Sequence, residues 1–194
     1  MILILFVQCV AVALTMADQN VAQNFISEDI VGDTIDTAPA AFITVTYPGN
    51  KQVRFNELTP TDVRPAQPEV TWTADPDKYY TLSMVDPDAP SRTTPTFREI
   101  NHWLVVNIKE NDLSSGQTLT SYRGSGPPKG SGLHRYIFLV YLQQGVINVT
   151  EPNLEADRRN FSIRKFAQKY NLGSPIAGNF YQAQWDSSVP ERKA

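Results

Sequence analysis

The two histidines of the chain, His102 and His134, each stand ahead of a strongly apolar run, Trp103-Leu104-Val105-Val106 and Tyr136-Ile137-Phe138, the second after an intervening Arg135. An imidazole titrates near neutral pH, so at the end of a strand it can give a ligand either a proton or a lone pair. A carboxylate beside it favours the charged ring, and a charged ring favours bound phosphate or carboxylate. The segment Asp86-Pro87-Asp88-Ala89-Pro90-Ser91-Arg92 supplies such carboxylates directly after an apolar run ending at Val85, and Pro87 and Pro90 fix where they emerge. A third segment, Gly124-Ser125-Gly126-Pro127-Pro128-Lys129-Gly130-Ser131-Gly132-Leu133, runs into His134. Its glycines permit close approach of backbone N–H groups to an anion, and its prolines stiffen it.

Each segment also has an ordinary structural use. A histidine can simply sit at a strand edge, an Asp-Pro turn can bond its own backbone, and a glycine-rich loop can be a surface turn. Two histidines and Asp86 could form a facial metal triad, and Ser125 with His134 and Asp86 could form a hydrolase triad. Neither G-x-S-x-G nor H-E-x-x-H occurs, and Lys129 lacks the context of a nucleotide-binding loop. A non-catalytic binding protein without metal or cofactor is therefore expected.

The elements that must position these residues are short and β-branched. Phe42–Tyr47, Val70–Thr73, Tyr79–Val85, Trp103–Ile108, His134–Leu142 and Asn179–Trp185 read as strands, and prolines fill the connections. Strand alternation puts His134 with Tyr136 on one face, and His102 with Leu104 and Val106 on one face. Ile163, Phe166, Ala167 and Tyr170 follow helical spacing, with Ser162 as cap and Gly173 and Pro175 as stop. The expected fold is mainly β: an antiparallel sandwich with a few short peripheral helices.

The 194 residues, 41% hydrophobic, suffice for one core, and a net charge of -3 argues against a nucleic-acid partner. Met1–Leu14 is an uncharged apolar run too short to span a membrane, and Thr15 and Ala17 suit cleavage after Ala17. The expectation is a signal peptide over residues 1–17, a single domain over 18–194, secretion, and no transmembrane segment in the mature chain. Cys9, the one cysteine, would leave with the signal. Asn148-Val149-Thr150 and Asn160-Phe161-Ser162 are glycosylation sequons compatible with that route.

Taken together and in order, the Asp86–Arg92, Phe97–Ile108 and Gly124–Tyr136 blocks resemble the signature blocks of the phosphatidylethanolamine-binding protein family, and the likeness runs on through Phe180–Asp186. The resemblance implies an anion pocket at one end of the sandwich, lined by Asp86, Pro90, His102, Gly126, Pro127, His134 and Tyr136. It implies cis peptides at Ala89-Pro90 and Arg98-Glu99. Phe97 stands where many members have Tyr, and Ile100-Asn101 replaces a frequent Trp-His pair. The nine residues after Trp185 are too few for the C-terminal helix that partly covers the pocket in vertebrate members, which predicts a more open mouth. The function expected is extracellular binding of phospholipid head groups or other small anionic, phosphorylated ligands. The alternatives are a serine-protease or kinase inhibitor or signalling modulator acting through its surface, and a carrier of small hydrophobic ligands such as odorants.

Overall fold

A run that is apolar at nearly every position forms a strand covered on both faces. Four strands of this chain are buried at nearly every position, polar residues included: β6 (Tyr79–Asp86), β7 (Ile100–Lys109), β9 (His134–Gln143) and β10 (Ala177–Ala183). The computed structural model describes residues 21–151 and 153–191, so the expected signal peptide, Cys9 included, lies outside the described residues. The four strands form the middle of a seven-stranded sheet that also holds β1 (Ala41–Phe42), β4 (Asn56–Glu57) and β8 (Gln117–Thr120). Its order is β1-β10-β9-β6-β7-β8, with β4 also pairing to β10. The central pairs are antiparallel, but β1 and β4 run parallel to β10. The sheet is thus mixed at that edge, where an antiparallel one was expected.

Period-two alternation assigns each side chain of these strands to one of two cores. Tyr80, Leu82, Met84, Trp103, Tyr136 and Phe138 face a smaller sheet built from β2 (Thr44–Tyr47), β3 (Lys51–Gln52) and β5 (Glu69–Thr71), in the order β3-β2-β5. Leu104, Val106, Ile137 and Leu139 face the helical side, where Phe25, Ile163 and Phe166 cover them. Burying each large apolar side chain contributes about 1.5–3 kcal/mol, so both layers are needed to hold the sheet.

The helices are short: α1 (residues 21–27), α2 (Ile30–Asp33), α3 (Pro60–Val63) and α4 (Ile163–Lys169). In α4 the Ser162 hydroxyl accepts the Lys165 N–H as the cap, and Gly173 takes a positive φ just beyond, as the spacing predicts. The expected strand over Phe42–Tyr47 is two pieces, β1 and β2, which leave each other at Ile43 to join different sheets. No helix among the described residues is long and apolar enough to cross a membrane. Asn148 and Asn160 are exposed.

Candidate functional site

Adjacent antiparallel strands bring the first two candidates together. Val85 of β6 pairs with Ile137 of β9, so the end of β6 meets the start of β9. There His134 Nδ1 lies 2.9 Å from Asp86 Oδ2, while Asp86 Oδ1 accepts the Asp88 N–H at 2.7 Å. His134 Nε2 lies 2.9 Å from Ser131 Oγ, and Ser131 donates its hydroxyl proton to Pro128 O at 2.7 Å. His134 thus bridges the Asp86 carboxylate and the Ser131 hydroxyl through its two ring nitrogens. Both ring nitrogens are engaged within the fold, and the ring lines the cleft. Ser125, weighed from sequence as a partner of His134, is buried and lies beside the Tyr181 hydroxyl instead.

His102 departs from simple alternation. Met84 pairs with Trp103 and Val85 with Asn101, which leaves His102 as an extra residue in β7. A bulge of this type turns the extra side chain onto the face of its neighbour. His102 therefore joins Tyr136, ring centroids 5.2 Å apart and edge to face, and not the Leu104–Val106 face that strict alternation predicts. Its Nδ1 is 2.6 Å from Arg123 O. Burial pushes this imidazole below its usual range, with Asp86 pulling the other way. Tyr136 forms the floor: His134 stacks on it at 6.4 Å, and Tyr181 stacks beneath at 5.0 Å. Burial, with Asp86 nearby, raises the phenol far above its ordinary range, so it keeps its proton.

Behind this layer lies a second pair, Asp88 two residues past the end of β6 and Arg135 next to His134 in β9. Asp88 and Arg135 are both fully buried, and the carboxylate accepts the Arg135 backbone N–H at 2.9 Å, Nε at 2.8 Å and Nη2 at 2.6 Å. Arg135 also reaches Asp33 at 2.8 Å and Glu28 O at 2.6 Å, fastening the chain around α2 to the site. An arginine opening an apolar strand gives no sequence signal of burial; Asp88 is what makes it tolerable.

The seven expected residues all line one cleft of about 1060 Å3. Asp86, His102, His134 and Tyr136 meet at its floor, and Pro90, Gly126 and Pro127 stand along its walls. The peptides Ala89-Pro90 and Arg98-Glu99 are cis, as the resemblance implies. Sequence reasoning missed four arginines on the walls, Arg64, Arg123, Arg158 and Arg159, against three carboxylates, Asp86, Glu155 and Asp157. They come from distant segments, so no local run announces them. Phe97 lies at the mouth under the Arg159 guanidinium, 5.7 Å from its centroid. Ile100 faces the cleft, while Asn101 is buried and donates to Thr120 Oγ1. Residues 185–191 also contribute a wall: Trp185 Nε1 donates to Val189 O, Lys129 pairs with Glu191, and Val189 and Pro190 line the cleft.

This arrangement can be set beside known proteins. Residues 46–182 match the model of the phosphatidylethanolamine-binding protein family. The chain belongs to that family. It is 38% identical over 179 residues, covering 90% of this chain and 85% of the relative, to the Drosophila melanogaster protein named "Putative odorant-binding protein A5". A carboxypeptidase Y inhibitor, solved in complex with its cognate proteinase, is 27% identical with a TM-score of 0.76 and covers 87% of this chain and 97% of its own. The protein CG7054, solved in solution, is 48% identical with a TM-score of 0.67, covering 83% and 94%. Family relatives are thus named as binding or inhibitor proteins. Among the described residues no group of three His, Cys, Asp or Glu side chains could hold a metal ion.

Proposed function

We propose that the chain is an exported binding protein whose cleft seats a small phosphorylated group on the Tyr136 and His102 floor. The observation that carries this reading is the convergence of that polar floor with four arginines on the walls of one cleft of about 1060 Å3. A guanidinium is the side chain best matched to phosphate, and a cleft of this size holds a whole small ligand. Export is supported by the apolar run ahead of Ala17 and by two exposed sequons. Calorimetric titration with O-phosphoethanolamine tests the reading. Binding that weakens by tenfold or more in Tyr136→Phe and in Arg159→Ala is expected; absence of binding, or binding indifferent to both substitutions, refutes it.

A second reading has its own support. The inhibitor bound to its proteinase shares the fold over 87% of this chain at 27% identity, which favours a proteinase partner for this chain as well. Inhibition of carboxypeptidase Y by the purified chain is the direct test, and an unchanged hydrolysis rate at stoichiometric excess discards it.

A further inference from the structure

A second cavity, of about 420 Å3, lies on the helical side of the large sheet and shares no lining residue with the cleft. Residues 35–37 just after α2, the face of α4 that carries Arg164 and Ala167, and the turn ahead of β10 enclose it, and Tyr141 of β9 reaches it from the sheet. Ile35, Ala167 and Pro175 give it an apolar wall. Two polar groups of that wall lack hydrogen-bond partners among the described residues. Tyr141 is 1% exposed, and its hydroxyl meets no donor or acceptor there. Arg164 donates Nη2–H to Gly32 O at 2.7 Å. Its buried Nε lies 3.0 Å from Asp36 Oδ1 but off the line of a hydrogen bond, so the two form an ion pair that leaves this N–H unsatisfied. A buried donor without an acceptor costs free energy until one reaches it. Burial, with Glu99 nearby, holds the Tyr141 phenol above its ordinary range, so it too has a proton to give. Glu99 is itself kept neutral by burial up to about 8, which leaves Arg164 and Asp36 as the charges facing the phenol. The Asp36 side chain is 67% exposed and that of Arg164 32%, so water screens the carboxylate more than the guanidinium.

We propose that this cavity is a second ligand site, separate from the anion cleft, and that it takes small monocarboxylates with a short apolar body. The carboxylate accepts from Arg164 Nε–H and Tyr141 O–H, and the apolar body packs on Ile35, Ala167 and Pro175. Cavities that hold whole small ligands run from roughly 300 to 1,000 Å3, and this one falls within that range. A hydrogen bond to a guanidinium is about twice as strong as one between neutral groups, so an acid binds ahead of an alcohol with the same body. An ammonium offers no acceptor to either donor and binds behind both.

The test follows amide NMR spectra of the purified chain during titration with hexanoate, hexanol and hexylamine at about pH 6.5, where a carboxylic acid is ionised. The expected result is saturable shifts at residues around the cavity, with hexanoate bound at least roughly tenfold tighter than hexylamine and ahead of hexanol. Tyr141→Phe should weaken hexanoate several-fold, and Arg164→Gln by roughly tenfold or more with hexanol little changed. Gln168→Trp, at an exposed position of the same wall, should block the cavity and abolish the shifts while O-phosphoethanolamine binding in the cleft stays unchanged. If Arg164→Gln fails a thermal-unfolding check, Tyr141→Phe and Gln168→Trp decide the matter. Shifts confined to the cleft, no saturable shift, equal binding of the three probes, or hexanoate binding indifferent to Gln168→Trp overturns the inference. Each of these leaves the reading of the cleft, which O-phosphoethanolamine tests separately, where it stood.

Discussion

Asp88→Ala should be among the most damaging single changes near the site, although Asp88 is not among the residues that line the cleft. Its carboxylate accepts three N–H groups of Arg135, and both side chains are 0% exposed. Removing one partner of a buried ion pair costs about 3–5 kcal/mol, because the remaining charge is left without compensation. Here Arg135 would keep Asp33, itself 33% exposed, and Glu28 O, which places the loss toward the lower end, at about 3 kcal/mol. For a chain of this length each kcal/mol moves the midpoint by about 2–4 °C, so thermal unfolding should occur about 6–12 °C lower. Urea unfolding followed by tryptophan fluorescence measures the same quantity independently. Asp88→Asn, which keeps an acceptor but loses the charge, should fall between. The contrast is Lys129→Ala at the exposed Lys129–Glu191 pair, with exposures of 61% and 64%, where the change should stay under about 1 kcal/mol. A loss below about 1 kcal/mol in Asp88→Ala would refute the reasoning, since Arg135 would then be satisfied without its buried partner.

Three further outcomes follow from the same geometry. Burial raises the Glu99 carboxyl to about 8 from 4.5, so the folded chain holds a proton there that the unfolded chain releases. Stability from this group is full below about pH 4.5 and is lost as pH climbs through about 8; in Glu99→Gln that slope should vanish from a series of urea unfolding curves. In Gly124→Ala the new Cβ would stand 2.4 Å from the Arg64 Cα, a backbone atom, so the loop carrying Gly126 and Pro127 must shift, at a cost of about 1–3 kcal/mol and with weaker ligand binding in the same calorimetric titration. Asp186 accepts from Thr61 N–H and hydroxyl and from Ser188 N–H and hydroxyl, fastening the last described residues to α3; Asp186→Ala should speed amide hydrogen exchange over 186–190 while leaving β9 protected, and equal protection would show the anchor lies elsewhere.

The central strands were legible because burial on both faces leaves a continuous apolar run, as in Tyr136-Ile137-Phe138-Leu139-Val140. Strands β3, β4 and β8 were not, because Lys51-Gln52, Asn56-Glu57 and Gln117-Thr118-Leu119-Thr120 owe their state to a partner strand rather than to their own composition. The site residues were legible as ordered blocks, but their roles were not. Which face His102 takes depends on one residue of register, and the engagement of the second His134 nitrogen depends on Ser131, three residues away across a turn. Arg135 reads as an exposed charge until Asp88 is placed beside it. The cleft arginines are scattered from Arg64 to Arg159, and only the fold gathers them.

The extra residue at His102 has a bearing on how this strand can vary. Because Trp103 and His102 lie on the same side, one short stretch of β7 serves the hydrophobic interior and the chamber of the cleft at once. Deleting a single residue there would restore regular pairing and rotate the imidazole away, while the remaining strand kept its register. Length variation at this point is therefore an on–off control over the chamber that leaves the scaffold standing, whereas substitution at Trp103 alters the scaffold first and the chamber only as a result.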